Sequence, residues 1–261
     1  IATQITGNCS FSPFGTDEKT PYRDKLGGGL FESRFSGSLK AFSTKLNGKL
    51  HVNIVPLVGH GAVRAGIRGY DPTPLTPEQL KTEISFVRQA MEDGAFGGSM
   101  GFMYEPNMYA TKDELYAFAR EIAKYDGILT VHARACSAVS ADYPLITKKS
   151  HLELALDEIV DIMEKTGCRT EYSHLIFTGK RSWSKLDKML GRFHELKAQG
   201  KPIAYDNYAF HYGASVITIV FPEWYAKLTK EQSSSPLNRF KLFMTILMYR
   251  KVLGIDWEDM T

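Results

Sequence analysis

The chain has 261 residues, 43% of them hydrophobic, with 32 basic against 29 acidic side chains; this is enough apolar material for one large core, read as a single barrel in preference to two small domains. Basic residues are spread along the chain and nearly balanced by acids, which excludes a dedicated polyanion binder, so no nucleic-acid partner is expected. Three widely spaced cysteines (Cys9, Cys136, Cys168) exclude a disulfide framework, and the longest apolar run, Ala214 to Phe221, is far short of the roughly 20 residues of a membrane span, so the reading is a soluble, cytoplasmic protein with no membrane partner.

In chain order, Ala2 to Cys9 reads as a first strand. Thr16 to Gly48 is glycine-rich and polar without a clear period, and is expected to be a long excursion of the kind that carries function or moves. His51 to Val58 is a second strand. Thr76 to Asp93 reads as a helix, because Thr76 offers an N-cap, Pro77 suits the first helical position and Gln79 occupies the capping-box site. A third strand, Ala95 to Phe102, precedes a helix from Thr111 to Tyr125, again with a threonine cap and an acid, Glu114, three residues on. A strand at Gly127 to His132, a helix at His151 to Thr166, and strands at Cys168 to His174 and Pro202 to Tyr208 follow. Lys227 to Pro236 reads as a polar break, and Leu237 to Leu253 as a basic amphipathic helix. Short β-rich runs separated by helical segments predict repeated β-α units around a parallel sheet.

In a (β/α) barrel the reactive groups sit at the carboxyl ends of the strands. Cys9, His132 and His174 fall at three such ends. A thiolate and two imidazoles suit zinc and leave one position for water. Each residue alone has a blander explanation, since a buried cysteine is commonly an inert small hydrophobe and a histidine can simply cap a loop; their shared placement is what argues for a metal. His60 is expected to be structural, in a tight turn shaped by the glycines beside it. His211 either contacts substrate or is a solvated loop residue, and His51, His151 and His194 are given no role.

The motifs around these residues resemble those of the N-acyl-D-amino-acid deacylase (D-aminoacylase) family of the amidohydrolase superfamily. Gly7-Asn8-Cys9-Ser10-Phe11-Ser12 is similar to the family's Gly-Asn-Cys-Gly-Phe-Ser, and Val58-Gly59-His60-Gly61 with Arg64 to its Val-Gly-His-Gly-x-x-Arg. Gly94-Ala95-Phe96-Gly97-Gly98-Ser99-Met100-Gly101, with Tyr104 and Pro106, resembles Gly-Ala-x-Gly-x-Ser-x-Gly and the following Tyr-x-Pro. His132-Ala133-Arg134, Ser173-His174 and Asp206-Asn207-Tyr208 look like its His-x-Arg, Ser-His and Asp-x-Tyr. The resemblance implies a (β/α)8-type amidohydrolase barrel, with Cys9, His132 and His174 as zinc ligands and with Tyr208 and Arg134 at the substrate. It also implies a small-molecule substrate, an N-acyl amino acid or related amide, hydrolysed by metal-activated water.

Three departures accompany the resemblance. The acid expected after His-x-Arg is Ala135 or Cys136 here, the lysine two residues beyond Ser-His is Ile176, and the Tyr-Pro-Tyr motif reads Tyr208-Ala209-Phe210-His211. The first-strand His-x-His and the eighth-strand catalytic aspartate of such barrels have no counterpart, so the six strands are expected to be the second to seventh of a larger polypeptide's barrel. Two alternatives to the deacylase reading follow: a catalytically silent binding or structural module, and a hydrolase of a cyclic amide.

Overall fold

The computed structural model describes residues 2–15, 37–140, 142–144, 146–210, 213, 223–226 and 228–253. Most of the expected excursion between the first two strands, the apolar run at 214–221 and His211 lie outside the described residues.

All six expected strands are present: β1 (Thr3–Thr6), β2 (Asn53–Gly59), β3 (Gly97–Gly101), β4 (Ile128–His132), β5 (Arg169–Ser173) and β6 (Ile203–Tyr205). They form one parallel sheet in which every strand pairs with the next in sequence, order β1-β2-β3-β4-β5-β6. The helices are α1 (Leu39–Leu46), α2 (His60–Arg68), α3 (Pro77–Glu92), α4 (Lys112–Ala123), α5 (His151–Thr166), α6 (Lys180–Trp183), α7 (Leu186–Ala198), α8 (Glu223–Ala226), α9 (Lys230–Ser234) and α10 (Pro236–Leu253). None of the described helices is long and apolar enough to cross a membrane.

The chain divides into two compact units, Ile1–Arg134 with Glu153–Leu175 and Gly191–Asn207 in the first, and Ala135–Leu152, Ile176–Leu190 and Tyr208–Thr261 in the second. The sheet lies in the first unit. Side chains alternate across a strand, so Leu129 and Val131 of β4 turn one way and are fully buried, while Thr130 and His132 turn the other. Val87 and Ala90 of α3, Leu115, Phe118 and Ile122 of α4, and Ala155, Ile159 and Met163 of α5 supply the buried apolar layer that a parallel sheet requires. Burying a side chain such as Phe118 contributes about 1.5–3 kcal/mol.

The capping box at Thr76 and Gln79 forms as the sequence predicts, and Thr111 caps α4 by accepting from the Glu114 amide. Helices α1, α6, α7, α8 and α9 depart from the reading. α1 lies within the expected excursion, α6 and α7 fill the stretch between β5 and β6, α8 falls where no element was expected, and α9 grows from a Thr229 capping box inside the expected polar break. The region of His60 is a further departure, since it opens helix α2 rather than forming a tight turn. Residues His60 to Gly66 are all buried there, and close packing of small residues outweighs the poor helix propensity of Gly61 and Gly66. In α10, Leu237, Phe240, Phe243 and Met244 are exposed.

His60 belongs to a buried ionic group built from three helices. Its Nε2 lies 3.1 Å from Glu83 Oε1 and 3.3 Å from Glu114 Oε1, and Arg64 Nε donates to Glu114 Oε1 at 2.9 Å. Arg64 is fully buried and also donates to the carbonyls of Asp71 and Thr73 at 3.1 and 2.8 Å. Burial opposes charge on His60, but the Glu83 charge and hydrogen bonds to Glu114 and Glu83 prevail and raise its pKa to about 9. Burial also acts on Glu114, yet His60 and Arg64 hold it below the ordinary carboxylate range; burial pushes Glu83 up. The carboxyl groups and His60 are close enough together for a cation. Arg64, bonded to Glu114, brings a permanent positive charge to the group.

Candidate metal centre

Cys9 follows β1, and His132 and His174 stand at the ends of β4 and β5. Cys9 Sγ lies 3.4 Å from His174 Nε2 and 3.7 Å from His132 Nδ1, and the two imidazole nitrogens are 2.5 Å apart. All three donor atoms fall within 4.8 Å of one another. They sit at the carboxyl end of the parallel strands, the end where barrel chemistry is built. His132 is almost wholly buried, and burial together with the nearby His174 pushes its pKa down to about 3. Burial likewise lowers His174, opposed by Asp206. Both imidazoles therefore present neutral nitrogens, the form in which histidine ligates.

The backbone around these residues is unusual. Cys9, Ser10 and His174 have φ of +54°, +78° and +39°, a left-handed region that non-glycine residues enter only when their surroundings enforce it. The enforcement is visible. Ser10 N donates to Ser99 Oγ at 3.0 Å, Ser10 Oγ accepts from the Gly61 amide at 2.6 Å, and Ser10 O accepts from Ala62 N at 3.1 Å. The His174 amide donates to the Asp206 carboxylate, and the next amide, Leu175 N, donates to Asp206 O at 2.9 Å.

Gly101, at the end of β3, is required by the close approach of this turn. A Cβ there would lie 2.5 Å from Cys9 O and 2.7 Å from the Tyr104 ring. Gly101→Ala is expected to displace the cysteine turn and to cost about 1–3 kcal/mol of stability through overpacking, read as a lowered urea midpoint. An unchanged midpoint would mean that the turn has slack.

Arg134 is tied to α5, its Nε and Nη2 donating to the two Glu158 oxygens at 3.0 and 2.8 Å, and its guanidinium lies 5.1 Å from the centre of the Phe102 ring. Tyr208 belongs to the second unit, where it is 36% exposed; burial and the Cys136 thiol raise its pKa. His151 is buried and satisfied, its Nδ1 accepting from the Ser140 amide at 2.6 Å and its Nε2 3.0 Å from the Pro144 carbonyl. Cys136 and Cys168 are buried thiols, each pushed up to about 12 by burial, and are chemically inert. The sequence reading missed Glu158 as the partner of Arg134 and Asn8 as a polar contact beneath the centre; the only signal for Asn8 was its place beside Cys9.

No family model matches the chain. Among curated proteins it is 31% identical over 173 residues to an N-acyl-D-glutamate deacylase of Alcaligenes xylosoxydans xylosoxydans, covering 66% of this chain and 32% of that protein. A D-aminoacylase of the same organism is 24% identical over 221 residues, covering 83% of this chain and 42% of that protein. The chain is thus similar in sequence to N-acyl-D-amino-acid deacylases. It spans between 32% and 42% of the length of these two relatives. The N-acyl-D-glutamate deacylase of Bordetella bronchiseptica, solved with zinc and a phosphonate inhibitor, matches with TM-score 0.66 and 25% identity, over 80% of this chain and 42% of that one. A D-aminoacylase structure described as defining a novel subset of amidohydrolases matches with TM-score 0.68 and 20% identity over the same shares, which supports the fold. The parallel sheet and its helices thus share the fold of part of the barrel in these two structures.

Proposed function

We propose that this chain supplies the metal-binding part of a hydrolase that cleaves the amide C–N bond of N-acyl-D-amino acids, with Cys9, His132 and His174 holding a zinc ion. The observation that carries the reading is the convergence of one thiol and two imidazole nitrogens within 4.8 Å at the carboxyl end of the sheet. That donor set is chemically suited to zinc, and three protein ligands leave a position open. Bound there, the ion would polarise the acyl carbonyl and acidify a water molecule.

The protein's own groups have distinct tasks in this reading. Cys9 surrenders its proton to ligate as a thiolate, and the neutral imidazoles of His132 and His174 complete the set. Asp206 fixes the backbone of His174. Tyr208 and Arg134 are assigned to the substrate, where a substrate carboxylate would compete with Glu158 for the Arg134 guanidinium. The six strands correspond in this reading to the second through seventh of an eight-stranded barrel. The substrate class is supported by the 31% identity to an N-acyl-D-glutamate deacylase, and zinc by the metal in the 25% identical structure.

Hydrolysis of N-acetyl-D-glutamate, N-acetyl-D-aspartate and N-acetyl-D-leucine by a polypeptide carrying all eight strands is expected to stop on treatment with a chelator and to return with added zinc, whereas the 261-residue chain alone is expected to show no appreciable turnover, since a general acid-base group contributes about 10²- to 10⁴-fold. Full turnover after chelation would remove the metal from the mechanism. Equal rates on the L enantiomers would remove the substrate assignment.

A further inference from the structure

We infer that Asn8 is a positioning residue, whose single carboxamide oxygen gathers the three ligand-bearing segments into one site. The inference rests on the metal-centre reading above. Asn8 Oδ1 accepts from Thr130 Oγ1 at 2.6 Å and from Ser173 Oγ at 3.2 Å. Thr130 precedes His132 by two residues on β4 and faces the same side of that strand. Ser173 directly precedes His174 on β5, and Asn8 itself directly precedes Cys9. One oxygen atom therefore joins the segments that carry all three proposed ligands.

The bonds are those of a cross-sheet tie. An asparagine beside a turn commonly bonds the backbone two residues on. Here the two recorded side-chain contacts reach residues 122 and 165 positions away. Two hydroxyl donors match the two lone pairs of a carbonyl oxygen. Thr130 and Ser173 are buried at 5% and 1% exposure, so water is a poor substitute for the oxygen they bond. The tie also bears on the left-handed φ of Cys9, because it anchors the residue from which that turn departs while the Ser10 contacts anchor its far side.

Groups that hold metal ligands without touching the metal typically change affinity about 10- to 100-fold when removed. Asn8→Leu keeps approximate size and removes the acceptor. It is expected to weaken Co(II) and Zn(II) binding by about that factor and to alter the visible ligand-field spectrum of the cobalt form, which reports ligand geometry. Asn8→Asp keeps an acceptor oxygen and is expected to restore both. Thr130→Val and Ser173→Ala remove one donor each. Adding Asn8→Leu to that pair is expected to cost no further affinity, because the bonds it would break are already gone.

An Asn8→Leu protein with wild-type cobalt spectrum and affinity, whatever its melting temperature, would overturn the inference. So would a fully additive loss on the Thr130→Val/Ser173→Ala background. If Asn8→Leu fails to fold, the two hydroxyl variants decide the matter alone: wild-type spectra and affinity in both would overturn the tie. Wild-type protein that binds neither metal, or binds it unchanged in His132→Ala, would instead refute the metal centre itself, so the two failures are distinguishable.

Discussion

Cys9→Ser is expected to empty the site of zinc in protein purified without added metal. A hydroxyl is a harder and far less acidic ligand than a thiol, so the anionic sulfur donor is replaced by a weakly coordinating neutral oxygen. The loss of affinity should exceed the roughly 10- to 100-fold typical of groups that only support a ligand. His132→Ala and His174→Ala are expected to behave alike. Unchanged zinc in Cys9→Ser, with loss in both histidine variants, would remove the cysteine and leave the site. Unchanged zinc in all three would end the metallohydrolase reading. Cys9→Ser is close to isosteric, so its melting temperature in metal-free buffer should move little beside the change in metal content.

Glu114→Gln should produce the largest loss of stability. It keeps the side-chain shape but removes a charge that both Arg64 and His60 rely on in a fully buried setting. Breaking one partner of a buried pair costs about 3–5 kcal/mol, a large share of the roughly 5–15 kcal/mol that separates most domains from unfolding. The same network predicts a pH dependence. His60 titrates near 6.5 in an unfolded chain and at about 9 when folded, so its contribution is whole below pH 6.5 and is lost as pH rises through about 9. The urea midpoint of the wild type should therefore fall between these values, and His60→Gln should flatten that part of the profile. A wild-type midpoint level across the interval would show that His60 carries no extra proton in the folded protein.

The sheet and its reactive end were legible because strands announce themselves through short β-rich runs, and Cys9, His132 and His174 each close one. Helix α2 was not, because Gly59 and Gly61 beside His60 read as turn residues until the close packing around them is known. Asn8 stands next to Cys9 in every copy of the sequence, but its meaning depends on Thr130 and Ser173 arriving at one point from distant strands, which no local pattern encodes. Arg134 was legible as the arginine of a His-x-Arg motif; its bond to Glu158 on the following helix was not. The Arg64 network was equally hidden, since Glu114 reads as the acid of a helix start and Glu83 carries no motif, and only their burial shows that they meet.

The sequential order of the sheet has a kinetic consequence. Each strand pairs with the one made just before it, so during synthesis the sheet can extend one strand at a time, each step closing a parallel pair such as Thr3 with Asn53 or Gly97 with Ile128. The polar contacts beneath the metal centre do not share that convenience. Asn8 emerges first and must wait 122 residues for Thr130 and 165 for Ser173. A nascent chain halted before β5 could thus hold four paired strands and still lack a place to keep an ion. In the proposed metal-centre reading, metal capture would belong to the closing stage of folding, after most of the sheet is already in hand.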